Sequence, residues 1–212
     1  MALTPDITLE SDEQKVSYGF GLQFGEQLRR NDFEGLDLEA VIAGIQHWYR
    51  EREALLTDAE LNPSYKVIQD RNKAKAVEDE RKRGQLAEQF MAANAAREGV
   101  STTASGLQYE VLEAGPADGA RPEASSTVVT HYHGTLVDGT VFDSSVDRGV
   151  PAEFGVNQVI PGWTEALQMM SVGDKWRIAC PPELAYGDRG AGDAIPPNPA
   201  LVFEIHLLEV KD

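Results

Sequence analysis

Thr127-Val-Val-Thr-His-Tyr-His-Gly-Thr-Leu136 runs into Val137-Asp-Gly-Thr140 and on into Val141-Phe-Asp-Ser-Ser145, and the reading of this stretch decides the fold. From Thr127 to Leu136 the side chains alternate. Val128, Thr130 and Tyr132 share one face and Val129, His131 and His133 the other, the period of a β-strand. Asp138-Gly139 is a hairpin turn signal. Working outward, Leu107–Leu112 and Lys175–Cys180 alternate in the same way, as does Leu201–Val210, with Leu201, Phe203, Ile205 and Leu207 on one face. Between them, Pro161–Met169 suits one short helix with Trp163, Ala166 and Leu167 or Met170 turned inward. Several strands and a single helix describe a twisted antiparallel sheet wrapped around that helix.

The chain has 212 residues. At roughly 100–200 residues per domain this allows one large domain or two small ones. An apolar fraction of 42% with 8% aromatics is that of a globular protein. Lys and Arg number 19 against 35 Asp and Glu, a net charge of −16. That balance argues against a nucleic-acid partner, which needs clustered cations, and against an anionic membrane surface. Cys180 is the only cysteine, so an internal disulfide and a Cys-rich zinc site are excluded. His131 and His133 share a strand face, but only His47 and His206 accompany them. They are expected to be packed or solvent-facing, and neither metal nor cofactor is expected. Met1–Gln14 has neither the basic nor the apolar region of a secretory signal, and no apolar run approaches the ~18 residues of a membrane span. The expected setting is the cytoplasm.

Nine of the eleven prolines follow residue 100, which makes the front half helical and the back half turn-rich. Charge divides too: residues 1–100 carry 13 − 19 = −6 and residues 101–212 carry 6 − 16 = −10. Ser11-Asp-Glu-Gln14 is a capping box, followed by an apolar stripe of Val16, Phe20, Phe24 and Leu28. Asp37 can cap a second helix whose broad apolar face holds Val41, Ile42, Ile45, Trp48 and Tyr49. A third helix starts either at the Thr57-Asp-Ala-Glu60 box or with Asn62 as cap and Pro63 as first residue. It continues to about Arg97, with Gly99 as a C′ residue. From Gln69 to Gln85 ten of seventeen residues are charged and only Val77 is large and apolar, so this part stands in solvent, as helix or as charged linker. Glu78–Lys82 and Asp79–Arg83 have i,i+4 pairing spacing. Gly19, Gly21 and Gly25 each cost the first helix about 1 kcal/mol against Ala. Close approach of another helix is the usual compensation, and two short amphipathic helices are little to hold a core alone. Residues 1–60 are therefore expected to pair with a second copy. The same glycine run resembles a dinucleotide loop only loosely, since a capped helix start precedes it where a strand should.

Val129-Thr-His-Tyr-His-Gly134, Asp138-Gly-Thr-Val-Phe-Asp-Ser-Ser145, Val159-Ile-Pro-Gly-Trp163, Met170-Ser-Val-Gly-Asp174, Leu184-Ala-Tyr-Gly187, Ile195-Pro-Pro197 and Leu201-Val-Phe-Glu204 stand in the order found in FKBP-type peptidyl-prolyl isomerases. This resemblance covers essentially all of residues 105–210. The front half, with Ser17, Tyr18 and Gly19 on its first helix, resembles the N-terminal domain of the bacterial Mip/FkpA group, and the whole is most similar to that group's cytoplasmic member. The resemblance implies an α+β chain: an all-α dimerisation domain over 1–60, a stalk helix over 61–99, and over 100–212 an antiparallel half-barrel sheet around one short helix. It implies catalysis in a pocket with Trp163 as floor, Tyr132, Phe142 and Phe203 as aromatic sides, and Asp143 beside the twisted amide. Tyr186, through its hydroxyl, and Ile160, through its N–H, would donate hydrogen bonds to the ligand. Phe154, Val159 and Ile195 would complete the wall, and Arg148 would orient Asp143 and Tyr132. The implied partners are a second copy in a V-shaped homodimer, proline-containing unfolded or folding polypeptides, and FK506- or rapamycin-like macrolides. The alternative is a chaperone-like binding dimer in which isomerisation is secondary. Taken singly, Trp163, Phe203 and Tyr132 could equally be core residues. The sequence departs from the family pattern at Ala152, Ala194 and Leu184 and in the glycine-rich loop Asp188–Asp193.

Overall fold

The structure is a computed structural model that describes residues 7–211. The chain divides into two compact units, Met1–Lys75 and Ala76–Asp212. The division falls inside the third helix.

In the first unit, α1 (Asp12–Arg30) begins at the expected box: the Ser11 hydroxyl accepts from the Gln14 N–H at 3.3 Å, and the Gln14 side chain accepts from the Ser11 N–H at 3.1 Å. α2 (Leu38–Tyr49) is capped by Asp37, whose carboxylate accepts from the N–H groups of Glu39 and Ala40. Each cap satisfies N–H groups that a helix start leaves without intrahelical partners. Neither helix buries a side chain within the chain. Phe20 and Phe24 are more than half exposed and Trp48 is 89% exposed.

α3 (Asp58–Ala95) starts at the first of the two candidate sites, with the Glu60 carboxylate accepting from the Thr57 N–H at 2.8 Å. Pro63 therefore lies inside the helix. The helix ends at Ala95, short of Arg97, and Gly99 is not its C′ residue. Gly99 instead takes a left-handed φ of +85° in the turn that leads into the sheet. Glu78 and Lys82 pair at 3.6 Å as expected, but Asp79 and Arg83 do not pair, because Arg83 donates to the Pro197 carbonyl at 3.0 Å. The C-terminal part of α3 belongs to the second unit, where Ala87 and Asn94 are buried. Asn94 donates to the Gln108 side-chain carbonyl at 2.7 Å, and Gln108 donates to the Met91 carbonyl at 2.8 Å. Within residues 69–85 no side chain is buried, although Glu80 and Arg83 hydrogen-bond to Asn198 and Pro197.

The second unit is an antiparallel sheet of β1 (Val100–Thr102), β2 (Gln108–Glu113), β3 (Thr127–Leu136), β4 (Val141–Ser144), β5 (Ala152–Gly155), β6 (Lys175–Cys180) and β7 (Leu201–Lys211). Its order is β1-β2-β6-β7-β3-β4, with β5 paired to the first four residues of β3. β3 alternates as its sequence requires, burying Val128, Thr130 and Tyr132. α5 (Pro161–Met169) packs Trp163, Ala166 and Leu167 against the inner face, and Met170 follows them into the core with Ile178, Leu201, Ile205 and Leu207. A further single turn, α4 (Ser145–Arg148), follows β4.

Candidate active site

At one end of the inner face, strands, loop and helix start converge on a cavity of about 410 Å³. β3 supplies Tyr132, β4 supplies Phe142 and Asp143, β5 supplies Phe154, and β7 supplies Phe203. The turn into α5 supplies Gln158, Val159 and Ile160, the first turn of α5 supplies Trp163, and the loop after β6 supplies Tyr186. Period-2 alternation puts Tyr132 and Phe203 on the buried face, and Pro161 at the helix start sets where Trp163 enters.

Trp163 is 4% exposed and forms the hub of the site. Tyr132, Phe154 and Phe203 meet its ring edge-to-face, with centroids at 5.4, 5.6 and 5.4 Å and interplanar angles of 80–83°. Phe142 meets Phe203 at 5.5 Å in the same geometry. Edge-to-face pairs match a ring's positive edge to its neighbour's negative face and are worth about 0.5–1.5 kcal/mol each beyond area burial. The rings therefore hold one another in a rigid apolar box. Gly134 makes the box possible, since a Cβ there would lie 2.7 Å from the Phe142 ring.

One polar group interrupts the apolar wall. Asp143 accepts from the Tyr132 hydroxyl and from Arg148, and Arg148 also donates to the Tyr132 oxygen at 2.9 Å. The Arg148 guanidinium lies 5.7 Å from the Tyr132 ring centroid. Burial alone would raise the Asp143 carboxyl pKa, but the hydrogen bonds from Tyr132 and Arg148 outweigh it and hold it below the usual range. Tyr132 is pushed up, first by burial and then by its bond to Asp143. Tyr186 is pushed up by burial and by the nearby Asp143 charge. The site thus holds a carboxylate and two protonated phenols at neutral pH. Among the described residues, neither the Ile160 N–H nor the Tyr186 hydroxyl makes a hydrogen bond, which leaves two donors at the cavity.

Nine of the eleven residues singled out in the sequence line this cavity, and Arg148 reaches the site through Asp143 and Tyr132. Ile195 does not line it: 5% exposed, it packs in the core. Gln158 lines the cavity and was not anticipated, although its place directly before Val159-Ile160 was a signal for it. A larger hollow of about 540 Å³ lies on the other face of the sheet. Its charged residues already pair, Arg97 with Glu110 and Arg177 with Glu204, which leaves no free donor set for a ligand. His131 and His133 hydrogen-bond to Ser145 and Ser144. Among the described residues no group of three His, Cys, Asp or Glu is placed to hold a metal ion.

Residues 119–208 match the family model of the FKBP-type peptidyl-prolyl cis-trans isomerase, and residues 13–111 match that of the domain amino terminal to it. The FKBP-type 22 kDa peptidyl-prolyl cis-trans isomerase of Escherichia coli is 47% identical over 96% of this chain and 98% of its own. The outer membrane protein MIP of Legionella longbeachae is 39% identical over 100% of this chain and 91% of its own. The crystal structure of FkpA from Escherichia coli superposes with a TM-score of 0.70 at 37% identity, covering 96% of this chain and 99% of that one.

Proposed function

This chain belongs to the FKBP-type peptidyl-prolyl cis-trans isomerases and is an enzyme of that type; on that premise we propose that the aromatic cavity carries the reaction and that two copies of the chain present their cavities to one folding polypeptide. The observation that carries the first part is the box of three rings edge-to-face on Trp163 and a fourth, Phe142, on Phe203, with the Asp143–Arg148–Tyr132 group set in its wall.

The chemistry of an X–Pro bond explains why such a box suits it. Resonance gives the C–N bond partial double-bond character, and rotation must cross a barrier of about 18–20 kcal/mol. Halfway round, that resonance is broken, charge separation falls and the nitrogen becomes pyramidal. A dry apolar wall therefore favours the twisted amide over the planar, more polar one, and only such differential binding accelerates a step. No σ bond breaks, so no nucleophile is needed. The Ile160 N–H and Tyr186 hydroxyl hold the flanking chain while the prolyl ring rests on Trp163, and Arg148 keeps Asp143 and Tyr132 in place. An acceleration of ~10⁴–10⁶-fold requires about 5.5–8 kcal/mol of differential stabilisation. Uncatalysed exchange takes tens of seconds or more, long enough to limit folding, so the substrates are chains still folding.

The test is isomerisation of a short proline peptide. Tyr132→Ala and Asp143→Ala lower the rate while circular dichroism stays native, and an FK506-like macrolide in excess inhibits the wild type. Wild-type rates in both folded variants, or insensitivity to the macrolide, would sink the assignment.

Support for pairing comes from the first unit. Val16, Phe20 and Phe24 on α1, and Ile45, Trp48 and Tyr49 on α2, are all roughly half exposed or more. Among the described residues, and apart from the helix's own neighbouring backbone, nothing lies within 4 Å of where a Cβ would stand at Gly19, Gly21 or Gly25, which leaves room for another backbone. A second reading, client holding by these apolar faces with isomerisation secondary, rests on the same exposure. Trp48→Ser with Tyr49→Ser separates the two: unchanged turnover of a short peptide with slower refolding of a proline-limited protein favours client holding by this unit.

A further inference from the structure

Glu80 and Arg83 lie on α3, far in sequence from the cavity, yet both reach the loop that supplies one of its walls. The Asn198 side-chain amide donates to Glu80 Oε1 at 2.8 Å, and Arg83 Nε donates to the Pro197 carbonyl at 3.0 Å. The loop they grip is closed on itself. Asn198 N–H donates to the Gly187 carbonyl at 2.8 Å, and Ala191 and Ile195 exchange both backbone hydrogen bonds. Gly187 adjoins Tyr186, whose ring lines the cavity. Asn198 has a φ of +58°, the left-handed region that a side chain with a Cβ adopts at a cost. One residue thus ties Glu80 through its side chain to Gly187 through its N–H, so what holds Asn198 also holds the root of Tyr186. Within the chain, its amide is held by Glu80.

We propose that Glu80 and Arg83 are positioning residues for catalysis: α3 clamps the Pro196–Asn198 turn and, through Asn198 and Gly187, sets the place of the Tyr186 hydroxyl at the substrate. The proposal rests on the assignment of the reaction to the aromatic cavity. It gives the C-terminal half of α3 a part in the reaction. Glu80 acts as a hydrogen-bond acceptor here, so its charge is dispensable and its oxygen is not. Arg83 adds a second grip by satisfying the carbonyl of a residue flanked by Pro196 and Asn198.

The full-length chain carries the test, by peptide isomerisation with kcat and KM determined separately. Glu80→Ala lowers kcat/KM about three- to tenfold, the size of coupling expected between groups in one hydrogen-bond network. Glu80→Gln, which keeps the acceptor oxygen, retains most of the wild-type value. In a Tyr186→Phe background Glu80→Ala causes no further loss, because the hydroxyl it positions is gone. A merely structural role for Glu80 would instead give the same loss in both backgrounds. The coupling is overturned if Glu80→Ala matches wild type, if Glu80→Gln falls as far as Glu80→Ala, or if the losses of Glu80→Ala and Tyr186→Phe add. A wild-type rate in Tyr186→Phe alone would remove Tyr186 from the site, and the coupling with it. A normal loss in Tyr186→Phe beside an unaffected Glu80→Ala removes the coupling and leaves the cavity assignment standing.

Discussion

Gly134→Ala tests the cavity wall with one methyl group. An added Cβ would lie 2.7 Å from Cε2 and Cζ of Phe142 and 3.2 Å from Cδ1 of Phe203. Carbon atoms rest about 3.5–4.0 Å apart, so the Phe142 ring must withdraw by roughly 1 Å. Gly134 is buried on the inner face, and the Phe142 ring that its Cβ would strike also lines the cavity. The withdrawal therefore carries the ring into the substrate's space. The φ at Gly134 is not positive, so the backbone accepts alanine and the effect is one of packing. Overpacking costs about 1–3 kcal/mol, and the less flexible unfolded chain returns about 0.4–1, for a net loss of at most about 2.6 kcal/mol. Catalysis suffers more than stability, since a 1 Å misplacement in a reacting site costs up to about 10²-fold. The expected result is a kcat/KM about 10–100-fold lower in a chain that still melts cooperatively. Gly44→Ala, at a helical site with nothing within 4 Å, is the control and leaves peptide turnover unchanged. A Gly134→Ala chain with wild-type turnover and stability would refute both the position of the Phe142 ring and its role as a wall.

Three further outcomes follow from the same geometry. Asp143 has a folded pKa below its unfolded value, so its ionisation favours the folded site above about pH 3.9, and that contribution is lost as pH falls through the lower folded value. Turnover should accordingly stay flat from neutral pH down into the carboxylate range, and Arg148→Ala should move the acid limb upward; a limb near pH 6–7 in the wild type would contradict this. Cys180 is buried and its thiol is pushed far up by burial and then by the Glu165 charge, so a thiol reagent should leave it untouched in the native chain and modify it fully in denaturant. Sedimentation should give twice the 23.2 kDa chain mass for the wild type and the single mass for Phe20→Asp with Phe24→Asp; a monomeric wild type ends the pairing proposal.

The elements that could be read from the sequence were those whose signals are local. The Ser11 box and the Asp37 cap mark helix starts within four residues, and the alternation from Thr127 to Leu136 assigns the faces of β3 without outside help. β5 escaped because a four-residue strand carries too little periodicity, and it exists through its pairing with Thr127–Thr130. The start of α3 could not be chosen because two sound caps compete over six residues, and Pro63 is tolerated inside the helix. Helical spacing offered Arg83 a partner in Asp79, but the Pro197 carbonyl, 114 residues away, takes it. The cavity's residues were legible through family resemblance and not through chemistry, since Trp163 or Phe203 alone reads as core. Both readings hold at once, for these rings are core residues with one side uncovered. Ile195 lacks that uncovered side.

The position of β7 has a consequence for how this enzyme comes into being. The last strand in sequence lies in the middle of the sheet, hydrogen-bonded to β6 on one side and along the whole of β3 on the other. While the ribosome is still short of Leu201, β1, β2 and β6 have no bond to β3, β4 and β5, and the site lacks Phe203. The helical unit is complete far earlier, with its apolar faces already exposed. A nascent chain thus exposes these faces before its cavity is whole. The nine prolines of the second half all precede Ala200, so each has been made before the cavity is complete.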